Sequence, residues 1–165
     1  MSGTLATDRL RLRLFGPLQI LRGDVSLPTP ASRKTRAILG YLVLTQRAVS
    51  RQRLCELFFE MPDDPRAALR WSLTKLRPLV DTPDRVRLIA DRDWLRLDLS
   101  DVDLDVAHLM AASEGSPDAV SDGDRSRALD LVVGDLLEDA ELPDRPEYAA
   151  WLAAQRQDFR TLALG

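Results

Sequence analysis

The sequence predicts an α+β half followed by an all-helical half, and three observations carry that prediction. Up to Leu97, short extended segments lie before and after three amphipathic helical stretches, whereas beyond it only helical periodicity is visible. Net charge also changes sign between the halves. The 165 residues sum to −3, but residues 1–97 hold 18 Lys+Arg against 10 Asp+Glu, a net of +8, and residues 98–165 hold 5 against 16, a net of −11. Such asymmetry suggests a basic binding domain, 1–97, joined to an acidic one, 98–165, with another task.

Composition bounds the function. Charged residues at 30% and hydrophobic residues at 45% suit a soluble globular chain. No apolar run approaches the ~20 residues of a membrane span, and the N-terminus lacks a signal pattern, so a cytoplasmic chain with no membrane partner is expected. The single cysteine, Cys55, falls on an apolar helix face and reads as core. The single histidine, His108, has no second ligand nearby and reads as surface or packing. No Gly-rich phosphate loop, metal-ligand cluster or nucleophile–base pair is present in the sequence, so neither an enzyme nor a cofactor or metal site is expected.

In order, residues 1–7 read as a loose tail. Arg9-Leu10-Arg11-Leu12-Arg13-Leu14 alternates strictly, as a half-buried strand does. Gly16-Pro17 breaks it, Leu18–Leu21 resumes extended structure, Arg22-Gly23-Asp24 turns, and Val25–Leu27 gives a short strand. Together these make a small antiparallel sheet. Ser32 to about Leu44 is the first helix, with Ile38, Leu39, Leu42 and Val43 as its apolar stripe. Arg33, Lys34 and Arg36 crowd the positive end of its dipole, an arrangement that a bound anion would relieve. Ser50 caps a second helix running to about Glu60, Met61-Pro62-Asp63 turns, and Asp63 or Asp64 caps a third that opens on Pro65.

That third helix, running to about Val80, is the centre of the chain. Leu69, Leu73, Leu76 and Val80 recur at helical spacing on one face. Ala67, Trp71, Thr74, Lys75 and Pro78 lie roughly opposite, and Arg66, Arg70 and Arg77 line a flank. No acid interrupts it. One face can bury while the other offers cations, an aromatic and small groups, the chemistry needed in a DNA major groove. Two helices joined by about three residues, the second basic, form a helix-turn-helix. Val86–Ala90 and Trp94–Leu97 flank Asp91-Arg92-Asp93 as a hairpin, where a wing belongs, with Val86, Leu88, Leu95 and Leu97 facing one way and Arg87, Trp94 and Arg96 the other. The aspartate-rich segment 98–105 reads as a domain boundary. Helices are then expected over about Val102–Ser113, Arg125–Glu138 (Leu129, Val132, Val133, Leu136 and Leu137 inward) and from near Pro146, with a loose loop around Gly115-Ser116-Pro117. They look like stacked helix pairs with one partner missing.

In order and spacing, several blocks resemble the N-terminal region of SARP-type bacterial transcriptional activators, the Streptomyces antibiotic regulatory protein family. The blocks are Leu12–Leu18, Ser32–Leu39, Ser50–Leu54, Ala67–Leu79, Gly134–Leu137 and Trp151–Arg156. The resemblance covers essentially the whole chain. It implies an OmpR-like winged helix over 1–97 and a bacterial transcriptional activation domain of tetratricopeptide-like helices over 98–165, a domain that in the family continues past the length seen here. It also implies double-stranded DNA as partner, with RNA polymerase or a second copy on repeated half-sites as candidate contacts of the helical half. Three features depart from the family: Asp91-Arg92-Asp93-Trp94 stands in place of a Gly-Tyr wing turn, Pro78 occupies a position that is often basic, and Trp71 is bulky for a base-reading face.

The expected function is a bacterial, nucleoid-associated transcriptional regulator, an activator, that inserts helix 64–80 into the major groove. Trp71, Thr74 and Lys75 read bases, Arg66, Arg70 and Arg77 hold phosphates at the groove edges, and Arg70 is the best placed of these to reach a guanine edge. Arg33, Lys34 and Arg36 contact the backbone, and either Arg92 or Arg96 approaches the minor groove. The alternative is a protein-interaction module whose winged helix has lost DNA binding, a reading that rests on the acidic wing tip and Trp71.

Overall fold

A computed structural model of the chain describes residues 9–60, 64–114 and 121–164. The expected N-terminal tail, the turn at 61–63 and the loop after Glu114 lie outside them.

The alternating N-terminal leucines build the first sheet. Strands β1 (Leu10–Arg13), β2 (Gln19–Arg22) and β3 (Val25–Leu27) form an antiparallel meander, pairing Leu12 with Ile20 and Ile20 with Leu27. Leu10, Leu12 and Ile20 are buried as the period-two pattern requires. Three helices follow: α1 (Arg33–Thr45), α2 (Arg51–Phe58) and α3 (Pro65–Val80). The hydroxyls of Ser32 and Ser50 cap α1 and α2, accepting from the N–H of Thr35 and Arg53. Strands β5 (Leu88–Ala90) and β6 (Trp94–Leu97) form the hairpin after α3, and β4 (Val49–Ser50), immediately before α2, adds a third strand in the order β4-β6-β5. This order of elements is consistent with a winged helix-turn-helix.

The second half does not stand apart. Strand β7 (Asp103–Leu104) pairs in parallel with β1, giving the first sheet the order β3-β2-β1-β7, so that sheet is mixed rather than purely antiparallel. Helix α4 (Asp105–Glu114) follows at once, displacing the expected start at Val102. The carboxylate of Asp105, at 3% exposure, accepts from the backbone N–H of Leu14 (2.8 Å), Phe15 (2.9 Å) and Val106 (2.8 Å). These bonds hold the end of β1, where the ladder stops. The buried core is one cluster running from Leu10 to Phe159, and residues 97/98 do not divide it.

The helix expected over Arg125–Glu138 is shorter. Helix α5 (Asp122–Asp130) ends before the remaining apolar positions, and the chain turns to pair with the segment after β1. Leu137 N–H donates to Leu14 O (2.7 Å), Gly16 N–H to Asp135 O (2.8 Å), and Phe15 and Leu136 form a β-bridge. Leu136 and Leu137 are buried and Val132 packs partly against the core, but Leu129 and Val133 are exposed. Leu137 sits against Gly40 in the middle of α1, so closely that a Cβ on Gly40 would lie 2.5 Å from Leu137 Cδ1. Gly40→Ala is therefore expected to lower stability by about 1–3 kcal/mol through overpacking, although alanine is the better helix former. A urea titration checks the sign, and a gain in midpoint would contradict this packing.

Helix α6 (Pro146–Leu164) lies across the junction. Its Tyr148 lies tilted against Phe58 (ring centroids 5.0 Å apart), Trp151 tilted against Tyr41 (4.7 Å) and Phe159 edge-on to Phe15 (5.6 Å). Just before it, Arg145 Nε donates to Leu57 O (3.0 Å), filling an acceptor left open at the C-terminus of α2. Ion pairs join the basic and acidic halves at Arg53–Glu147 (2.7 Å) and Arg36–Asp139 (3.4 Å).

Candidate nucleic-acid interface

Helix α3 forms where its sequence signals place it. Asp64 is the N-cap, accepting from Ala67 N–H at 3.2 Å, Pro65 occupies the first turn, and the helix runs through Pro78 to Val80. Leu69, Leu73, Leu76 and Val80 are buried, as is Ser72, whose hydroxyl lies 3.0 Å from that of Thr35 on α1. Helices α1 and α2 both pack on this face. The opposite face is open: Arg66, Arg70, Trp71, Thr74 and Lys75 are all exposed. Trp71 is 53% exposed, with Lys75 Nζ 5.3 Å from its ring centroid, so the ammonium and the indole form one projecting unit. The exposed Thr74 side chain donates its hydroxyl to Arg70 O at 2.9 Å. On these burials Leu73→Ala is expected to cost about 2–5 kcal/mol, as truncating a core leucine does, and Trp71→Ala far less. Thermal melts of the two variants make the comparison, and a larger drop for Trp71→Ala would reverse it.

The wing closes against the start of α2. Asp91 Oδ1 accepts from the N–H of Asp93 and Trp94, both at 2.8 Å, and Asp91 N–H donates to Trp94 O, so this acid builds the turn. Arg51 N–H donates to Asp93 O (2.8 Å) and its Nε to Asp91 O (2.9 Å). A cleft of about 480 Å³ results, in which Arg66 and Arg70 of α3 meet Arg92 of the wing and Ser50, Arg51 and Gln52 at the N-terminus of α2, with Asp93 as its one acid. Cations and a helix N-terminus together favour an anion such as phosphate. Sequence reasoning found Arg66, Arg70 and Arg92 but missed Arg51 and Gln52, which are distant in sequence from the wing turn they meet.

The remaining candidates divide. Arg33 is exposed on α1, and Lys34 beside it is half-buried with Nζ 5.0 Å from the ring centroid of Phe59. Arg36 is turned inward: its guanidinium donates to Pro30 O (2.7 Å), Ala31 O (3.0 Å) and Asp139 O (2.9 Å) and faces the Asp139 carboxylate, with 14% of the side chain exposed. It relieves the crowding at the start of α1 by linking the two halves of the chain. Arg77 is half-buried and donates to Leu88 O (3.0 Å) and Asp81 (3.3 Å), tying α3 to the hairpin. Arg96 is exposed on β6.

The expected facing of the hairpin is corrected at its first two residues. Val86 is 60% exposed, whereas Arg87 is 6% exposed and donates to Asp101 (2.6 and 3.0 Å) and Val80 O (2.8 Å). Strand β5 begins only at Leu88, so strand alternation does not govern them. The N–H groups of Arg87 and Leu88 are instead fixed by Asp81 Oδ1 at 2.8 and 2.9 Å. The Arg87 guanidinium also holds the Asp101 carboxyl below the usual carboxylate range.

A winged helix-turn-helix bonded to a helical acidic half has the SARP-like architecture that the sequence blocks resemble. A solved structure with this arrangement is that of EmbR from Mycobacterium tuberculosis, in complex with a low-affinity phosphopeptide, at TM-score 0.71 and 25% identity over 93% of this chain. This chain spans 43% of the EmbR chain. No protein-family model and no curated protein matches the sequence. No described helix is long and apolar enough to cross a membrane.

Proposed function

We propose that the chain is a DNA-binding transcriptional regulator of the SARP type, an activator acting at the bacterial nucleoid, and not an enzyme. One observation carries this reading: α3 exposes Arg66, Arg70, Trp71, Thr74 and Lys75, with no acid among its residues, while its other face is buried against α1 and α2. A helix so mounted can enter a major groove without disturbing the core. Lys75, Thr74 and Trp71 then face base edges, and Arg70 reaches a guanine. Arg66, Arg33 and Lys34 hold phosphates, joined by Arg51 and Arg92 across the cleft. Arg92, at the wing tip, is better placed than Arg96 for the minor groove. Arg36 and Arg77 position the fold around the site. The helical half, 98–165, is the protein-contacting part, toward RNA polymerase or a second copy on an adjacent half-site.

The test begins with selection of bound DNA from a random pool, followed by gel-shift titration. Arg70→Ala and Lys75→Ala are each expected to weaken the selected site by about 1–3 kcal/mol, with random duplex less affected. Arg92→Ala is expected to weaken all sequences alike and to reduce the slope of log K against log salt by about one. Equal losses on selected and random DNA for Lys75→Ala would reduce that residue to a phosphate contact. Absence of binding to any duplex at low salt would favour an interaction module, in which exposed Trp71 serves a protein partner instead.

A further inference from the structure

We propose that the cleft between the open end of the first sheet and the α3–β5 connection is a binding site for a small phosphate-class dianion, separate from the α3 surface. Arg22 pairs directly with Leu10, two residues along from the Leu12–Ile20 pair, so its side chain leaves the sheet on the face whose other members are core. An apolar residue is expected there. Its Nε and Nη2 are buried and have no hydrogen-bond partner. Buried guanidinium N–H groups left without acceptors are costly, and a small rotation of the side chain into the adjoining space would bring them to an oxyanion there.

That space is a cleft of about 680 Å³ bordered by Arg9, Arg22, Thr82, Asp84, Arg87 and Asp101. The Asp101 carboxylate is already engaged by Arg87 at 2.6 Å and Arg85 at 3.3 Å. Among the described residues, Arg9 and Arg22 have no carboxylate within 4.0 Å, and Asp84 has no cation within that distance. Two uncompensated cations therefore face one uncompensated acid, which leaves the site positive. Tetrahedral phosphate offers several acceptors to the fixed fork of a guanidinium, and the volume leaves room for the organic part of a phosphomonoester.

The test is isothermal titration of the full chain with inorganic phosphate near pH 8 in dilute chloride. Saturable binding at one site is expected. Arg22→Met, which keeps the aliphatic stem, is expected to weaken it about tenfold or more, the ~1.4 kcal/mol of a charged hydrogen bond. Arg70→Ala is expected to leave it unchanged. No saturable heat, or equal binding by Arg22→Met, overturns the proposal. If Arg22→Met does not fold, Arg9→Gln replaces it with the same expected direction of loss. Saturating the chain with a short duplex distinguishes the sources of phosphate. Undiminished phosphate binding supports a free-ligand site, whereas its abolition assigns the cleft to the DNA backbone and overturns the small-ligand reading.

Discussion

A chain cut after Leu97 is expected not to fold. Charge and composition suggest that residues 1–97 could stand alone, but what holds them lies beyond the cut. Removing it deletes β7, the neighbour of β1, and exposes the edge of a strand whose leucines are core. It deletes Asp105, so the N–H groups of Leu14 and Phe15 lose their acceptor. It also removes Leu137 from Gly40, Tyr148 from Phe58 and Trp151 from Tyr41, opening the back of α1 and α2. Each lost large side chain is worth about 2–5 kcal/mol, against a typical domain stability of roughly 5–15 kcal/mol. Far-UV circular dichroism and amide exchange on the fragment decide the matter. A cooperative melt with slow exchange in α1 would show that the basic half is self-sufficient. Until then, DNA binding is best measured on the whole chain, since a silent fragment would report unfolding rather than the absence of an interface.

Asp105→Ala is expected to destabilise the intact chain by about 3–5 kcal/mol, the cost of leaving three buried N–H groups unsatisfied. Chemical denaturation measures it, and a loss under about 1 kcal/mol would mean that water takes the place of the carboxylate. Two aspartates of this segment also respond to acid in opposite senses. Burial raises the Asp105 pKa despite its three backbone donors. Its ionisation therefore contributes a stability term that is full below the ordinary carboxylate range and falls as pH rises through the folded-state value. Asp101 is the reverse: Arg87 lowers its pKa, so its term is present above the ordinary range and is lost as pH falls through the depressed value. Asp101→Asn should accordingly flatten the acid limb of the stability profile, and an unchanged limb would show that other carboxylates govern it.

Local signals were enough for α3. Its cap, its proline and its leucine spacing all lie within the stretch they describe, and its observed span, Pro65–Val80, follows them. The hairpin and the alternating β1 were legible for the same reason. What escaped depends on partners far along the chain. Strands β4 and β7 are two residues each, too short to show a period, and exist because a neighbour supplies a ladder. The apolar positions from Val132 to Leu137 fit a helical stripe, yet pairing with Leu14–Gly16 overrides that propensity. Gly134 is the one local hint, since a Cβ there would lie 3.1 Å from Gly16 Cα. At the candidate site, residues whose role depends only on facing outward, such as Arg70 and Lys75, could be picked from periodicity. Arg36 and Arg77 could not, because Asp139 and Leu88 draw them inward.

The bond from Leu14 N–H to Asp105 spans 91 residues, and β1 pairs with β7 over a similar distance. Closing so long a loop late costs little in equilibrium stability but much in time. On the ribosome residues 9–97 emerge before residues 98–165, while the edge of β1 is still unpaired. They cannot reach their final state until the acidic segment that completes them has been made. Residues 98–165 thus set when residues 9–97 become competent, and a pause or truncation in the helical half would be felt at the exposed face of α3, which it does not touch.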